Sequence, residues 1–376
     1  MKRTIAAPWR FVVGAGVLAD IGKHARLLGT RSLLMGGNTA LGLVAETITQ
    51  SLAQNGVSWH VERGDHVKKQ RPLVDALVAI GRREKADLVI AAGGGNVGDC
   101  AKAVARTLNV PLITCPTVAA SNGPGTISAS IEGDKERSAW YRGPDVLFAD
   151  TAVIIQAGPR WLGSGIGDCL PLGPMAEMTE RLGLRTGVER ALGFSNAFPS
   201  RAAQAMAKLT YDTLLEYGAA AYQAAERGTV DDAFDRVVEA IVYCSVLSVS
   251  ACGGIGADHT LHPGKFKCCR RELLHGEGVA FGALVNLALF QWPKERILRQ
   301  LRLTRQVRLP TTFADFGLSD LTKDDALREV ETLVGPGNAP RYGLWYPVDA
   351  QAVANAMLEI DALSLEAGAE KGTTAG

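Results

Sequence analysis

Six short runs rich in apolar and β-branched residues are spaced through the first 150 residues of the chain. They read RFVV (10–13), SLLMGG (32–37), VSWHVE (57–62), DLVIAAGGG (87–95), PLITCPT (111–117) and DVLFAD (145–150). Amphipathic stretches such as LVAETITQSLAQNG and RPLVDALVAIGRREKA lie between them. Strands alternating with helices make a parallel sheet joined by crossover helices, so this part of the chain is α/β. After about residue 155 the texture changes: RAAQAMAKLTYDTLLEYGAAAYQAAERG and DDAFDRVVEAIVYCSVLSVSACGG are long, helical and without strand punctuation. The expected organisation is an α/β domain over 1–155, a boundary near QAGPRW and an all-α domain over 156–365. The small polar residues of 366–376 form a frayed, flexible tail.

A chain of 376 residues suits two domains, and 47% hydrophobic with 21% charged residues is globular. The net charge of +1 gives no drive toward nucleic acid or anionic membrane. No apolar run approaches the roughly 20 residues that span a bilayer. The N-terminal MKRTIAAPWRFVVGAG is broken by Pro8, Trp9 and Arg10 and reads as a first strand rather than a signal peptide. Seven cysteines with no CxxC pair read as reduced thiols of a cytoplasmic protein.

In DLVIAAGGGNVGDCAKAVA, an apolar strand ends in Gly93, Gly94 and Gly95 and a helical pattern begins. Glycines let a backbone approach a phosphate, and the helix behind them offers free N–H groups and a positive dipole end. The spacing is not GxGxxG, and an ordinary tight turn is the alternative. Asp99 and Lys102, in the first turns of that helix, either touch a ligand or fix the loop. The stretch PTVAASNGPGTISAS concentrates Thr117, Ser121, Asn122, Gly123, Gly125, Thr126 and Ser128. It either lines a cleft or is a solvent-facing turn.

Three of the six histidines, His259, His262 and His275, fall within GADHTLHPGKFKCCRRELLHGEG. On a helix His259 and His262 share a face. Two imidazoles with a distant carboxylate make an open site for a divalent ion. The best carboxylate is Asp168 in SGIGDCL, near an expected helix start, where an N-cap is the competing role.

Together and in order, GGGNVGDCAKAVA, the PT turn, RGPDVLFADTAVI, the GIGD turn, and HTLHPG followed by HGEGVAFG resemble one family. It is the iron-containing alcohol dehydrogenase superfamily, in its glycerol dehydrogenase and glycerol-1-phosphate dehydrogenase-like branch. The resemblance runs from RFVVGAGVLADIG to about residue 290. It implies a dinucleotide-binding α/β domain followed by an all-α domain, the dehydroquinate synthase-like fold, with the active site in the cleft between them. Carried over position by position, it implies that Asp168, His259 and His275 hold a divalent metal, zinc or iron(II). His262 is then a nearby group that relays a proton or orients substrate. The pyrophosphate loop falls on Gly93, Gly94, Gly95 and Asn96 with Asp99 just beyond, and nicotinamide-side contacts fall near Thr117, Ala120, Thr126 and Ser128.

The implied activity is metal-dependent, NAD(P)-linked oxidation of a small polyol or hydroxylated substrate, or the reverse reduction, in a homo-oligomeric enzyme. Two readings of other classes compete. One is an NAD- and metal-dependent sugar-phosphate cyclase resembling dehydroquinate synthase, the other a nucleotide-binding protein without activity.

Four positions depart from the family pattern. Asn122 stands where glycerol dehydrogenases usually carry an aspartate that touches substrate. The loop KFKCCRRELL holds Lys265, Lys267, Arg270 and Arg271, cations suited to a phosphate or carboxylate substrate or to a solvated turn. Gly37 occupies the place of an acid that binds the adenosine ribose, so NAD is the expected cofactor without NADP being excluded. Pro171 fits a first turn, but Pro174 is expected to break or kink a helix the family usually runs without interruption.

Overall fold

The computed structural model describes residues 3–4, 10–133, 139–140, 142–185, 198–252, 257–334 and 349–373. The chain divides into two compact units. One comprises residues 6–162 and 220–247, the other residues 1–5, 163–219 and 248–376.

In the first unit, all six expected runs form strands of one parallel sheet: β1 (Arg10–Gly14), β2 (Arg31–Gly36), β3 (Ser58–Arg63), β4 (Leu88–Gly93), β5 (Leu112–Pro116) and β6 (Val146–Asp150). The spatial order is β1-β6-β5-β4-β2-β3. Side chains alternate between the sheet faces, so the central strands are apolar on both. Leu34, Leu88, Ile90 and Ile113 pack with α1 (Ile21–Leu28) and α2 (Asn38–Gln54). Leu33, Met35, Val89 and Ala91 pack with α3 (Arg71–Arg83) and α4 (Gly95–Leu108).

The division differs from a single boundary near residue 155. The short helix α8 (Asp232–Glu239), expected among the helices that follow, belongs to the sheet unit. It buries Phe234, Val237 and Val238 and packs on β1 and on residues 151–154. Its amphipathic spacing specifies an apolar face but not which core that face joins.

The second unit is helical. It contains residues of α5 (Pro159–Cys169) from Gly163 onward, α6 (Leu172–Arg181), and α7 (Arg201–Arg227) up to Ala219. Among the described residues, the longer helices that follow are α9 (His275–Leu289), α10 (Lys294–Gln306), α11 (Lys323–Val334) and α12 (Ala350–Thr373). Helix α9 is buried from Gly276 to Leu287 and forms the centre of the unit. Phe281 and Leu284 meet Phe313, Phe316, Val330, Val353, Met357 and Ile360 around it. A helix apolar on every side has to be covered on every side, which dictates this central position. The last helix runs to Thr373, past the expected end of the helical domain at 365.

Helix α5 ends at Cys169 and α6 begins at Leu172, with a turn at Leu170–Pro171. The interruption therefore falls at Pro171 and not at Pro174. Pro171 has no N–H to continue α5 and precedes the first residue of α6. Pro174 sits in the first turn of α6, where a backbone N–H would have no helical partner anyway. Among the described residues, no helix is long and apolar enough to cross a membrane.

Candidate functional site

Asp168 lies one residue before the end of α5, so it is not the N-cap that its place near an expected helix start allowed. Its side chain is buried. Helix α5 meets α9 at glycine. A Cβ on Gly276 would lie 1.7 Å from the Ser164 carbonyl oxygen, and one on Gly167 would lie 2.3 Å from the Gly276 oxygen. The Gly276 N–H donates to Ser164 Oγ at 3.1 Å. This close crossing sets His275, the first residue of α9, beside Asp168, with Nε2 3.1 Å from Oδ1.

His259 arrives from a single 3-10 turn, Ala257–His259, which rides on the same helix at Gly282. A side chain at Gly282 would strike the Asp258 backbone, its Cβ 2.1 Å from the carbonyl oxygen. His259 Nε2 is 3.6 Å from Asp168 Oδ1. One ligand atom from each of Asp168, His259 and His275 lies within 4.8 Å of the others, the one such group among the described residues. Two ring nitrogens and a carboxylate oxygen converging in this way suit a divalent ion.

The electrostatics agree with that use. Burial disfavours the Asp168 carboxylate, but the imidazoles of His275 and His259 outweigh it and hold the carboxyl below its ordinary range. Burial likewise disfavours a charged His259, yet Asp258 and then Asp168 push its pKa up to about 10. Asp258 is fully buried, and its Oδ2 lies 2.5 Å from His259 Nδ1. Asn286 Nδ2 donates to the other Asp258 oxygen at 3.3 Å. A carboxylate on Nδ1 holds the ring proton there, so Nε2, the nitrogen facing Asp168, is the one that would give up its proton to a metal ion. Neither Asp258 nor Asn286 was among the candidate residues. The available signal was the acid immediately before His259, which spacing alone does not distinguish from a solvated charge.

His262 and His259 do not share a helix face, because the chain leaves the 3-10 turn after His259. His262 is buried with its ring against Gly278 and is not part of the cluster. Burial, then Lys265, keeps its pKa well below the ordinary histidine value. In the basic loop, Lys265, Lys267, Arg270 and Arg271 are exposed. The N–H groups of Lys267 and Cys268 are bound by the Glu329 carboxylate of α11, and Lys267 lines a surface cavity with Ser319, Asp320 and Arg328.

In the sheet unit, Gly93 ends β4, Gly94 caps α4, and Gly95 and Asn96 form its exposed first turn. No side chain caps this turn. Asp99 is not turned to this loop: its Oδ2 accepts the Ser130 N–H at 3.1 Å. Lys102 is fully buried and donates to the carbonyls of Gly123 at 2.6 Å and Ser128 at 2.7 Å. Burial lowers its pKa to about 8 against the opposing pull of Asp99. Asp99 and Lys102 thus hold residues 123–130, the polar turn, rather than the glycine loop. Thr126 is buried with its hydroxyl on the Gly123 carbonyl at 3.1 Å and near Ser128 Oγ at 3.3 Å. The buried Thr117 ties its N–H to the Gly93 carbonyl at 3.4 Å. Ala120 and Asn122 lie half-buried just before the 3-10 turn Gly123–Gly125. The polar stretch is thus a folded turn clamped by Lys102 rather than a solvent-facing one.

Residues 12–158 match the sequence pattern of the family described as iron-containing alcohol dehydrogenase. The chain is 31% identical to a glycerol dehydrogenase of Escherichia coli O6:H1 over 352 residues, 90% of this chain and 94% of that one. It is 30% identical to a glycolaldehyde reductase of Halobacterium salinarum, over 89% of this chain and 92% of the other. Its fold matches the crystal structure of glycerol dehydrogenase from Schizosaccharomyces pombe with a TM-score of 0.85 and 26% identity, over 99% of this chain and 94% of that one. These relatives lend no support to the cyclase reading. The chain belongs to the iron-containing alcohol dehydrogenase family and is an enzyme of the alcohol and polyol dehydrogenase class.

Proposed function

We propose that this enzyme interconverts a small, uncharged polyol and the matching carbonyl compound, using a nicotinamide dinucleotide and one divalent metal ion, zinc or iron(II). The observation that carries the proposal is the convergence of Asp168, His259 and His275 within 4.8 Å. In this reading those three residues hold the ion. When bound, the ion supplies Lewis-acid polarisation of an alcohol hydroxyl, and the dinucleotide accepts or donates the hydride.

The chain's own residues do the positioning. Asp168 supplies a buried negative charge, and Asp258 holds the proton on His259 Nδ1, so that Nε2 would be the nitrogen offered to the ion. The free N–H groups at Gly95 and Asn96 suit the pyrophosphate, as at other helix N-termini. Lys102 keeps the turn that carries Thr126 and Ser128 in one shape.

An uncharged substrate is favoured because the basic loop is exposed and its backbone is held by Glu329. The Escherichia coli and Halobacterium relatives are named for glycerol and glycolaldehyde, both small and hydroxylated.

The test is a panel of diols, sugar alcohols, phosphates and hydroxy acids, run on chelated enzyme and after zinc or ferrous iron is restored. Reduced cofactor is expected with neutral polyols, only with metal, and Asp168→Asn is expected to lose the metal and at least about 1,000-fold in turnover. Metal-independent turnover, or no metal bound at stoichiometric levels, defeats the proposal.

A further inference from the structure

The carboxyl ends of β4, β2 and β3 lie side by side. Gly36, the last residue of β2, is in register with Ala92 of β4 on one side and with Arg63 of β3 on the other. The strands are parallel, so the Gly93 loop, Gly37 and Arg63 follow one another along one edge of the sheet. That edge is where open α/β sheets bind their ligands.

Gly37 caps α2, which has neither a side-chain cap nor an acidic residue in its first turn. A Cβ built on Gly37 meets nothing within 4 Å, so the space beside it is open. Arg63 is exposed and reaches this turn, with Nη2 donating to the Asn38 carbonyl at 2.9 Å. A guanidinium has five N–H donors, and this bond uses one. The adjacent Glu62 projects to the other sheet face and is taken by His60 at 2.7 Å and His66 at 3.0 Å. It does not cancel the charge of Arg63.

In doubly wound folds an acid at this place binds the two ribose hydroxyls and repels a 2′-phosphate, whereas a nearby arginine accepts that phosphate. This chain lacks the acid and brings in the arginine from the neighbouring strand. We propose that Arg63, over the open turn at Gly37–Asn38, recognises a 2′-phosphate on the adenosine ribose, so that the enzyme takes NADP in preference to NAD. The assignment rests on the reading of the Gly93 loop as the dinucleotide site.

The experiment measures kcat/KM for NADP and NAD with metal-loaded enzyme, and in parallel the dissociation constant of each dinucleotide without alcohol. It compares the native chain with Arg63→Met and Gly37→Asp. The ratio of NADP to NAD is expected to exceed one in the native enzyme and to fall by about tenfold or more in each variant, as loss of a charge-assisted contact or gain of a repelling carboxylate requires. Arg63 is exposed and the space beside Gly37 is open, and either variant alone decides the matter if the other is poorly folded. A native ratio below one, or a ratio that neither substitution moves, overturns the assignment. Dinucleotide binding with this ratio but no turnover on any alcohol would instead defeat the dehydrogenase reading and leave the role of Arg63 standing.

Discussion

At the residue scale, the proposed metal site is held together by buried charge. Asp168 is kept ionised by two imidazoles, and Asp258, which Asn286 braces in turn, holds the proton on His259 Nδ1. The Asp258→Asn substitution removes the charge and keeps the shape. It is expected to weaken metal binding by about 10- to 100-fold, with turnover at limiting metal falling in proportion. Competition with a chelator measures this, and an unchanged metal affinity would show that Asp258 acts only in packing. The ligand candidates themselves were readable as residue types in an unusual window. Asp258 was not, because a carboxylate beside a histidine acquires its role only when burial removes water and leaves the imidazole as its partner.

At the element scale, the site depends on how closely helices approach. Helix α9 carries the proposed ligand His275 at its first residue and admits α5 at Gly276 and the Asp258 turn at Gly282. A methyl group at Gly276 has no flexible side chain to displace, since its nearest neighbours are backbone atoms of Ser164 and Asp168. Gly276→Ala is therefore expected to cost about 2 kcal/mol or more and to move Asp168 away from His275. Metal content should fall although no ligand is altered. A variant with native metal stoichiometry and native melting temperature would refute this view of the crossing. The glycines of HGEGVAFG were visible in the sequence, but their meaning was not, because spacing along one helix does not reveal which second element comes against it. The same holds for Pro171 and Pro174: the break was legible, and its position was decided by which proline closed α5.

At the scale of the molecule, both units bury thiols, and this sets the response to alkali. Burial pushes Cys100 up to about 12 and Cys244 up to about 11, and it pushes Cys115 and Cys252 up as well. The folded thiols keep protons that the unfolded chain releases above about pH 9, so the unfolded state binds fewer protons and stability falls as pH rises. Lys102 acts with the opposite sign between about 8 and 10.5, but it is one ammonium against four thiols. Under reducing conditions the melting temperature is expected to decline from pH 9 to pH 11, less steeply in Cys100→Ala. A melting temperature that is flat or rising over that interval would contradict the assignment.

The amino-acid sequence by itself determined the class of fold, because strand runs and helical stretches alternate in a period that only a parallel sheet with crossovers satisfies. It also determined which residue types were available for metal and phosphate. The tertiary structure decided the rest. It sent α8 back to the sheet unit, clamped the polar turn with Lys102, and brought Asp258 under His259 and Arg63 to the end of β2. Periodicity along a chain records that a face is apolar or that a charge is present, whereas partner choice follows from packing and desolvation between segments far apart in sequence.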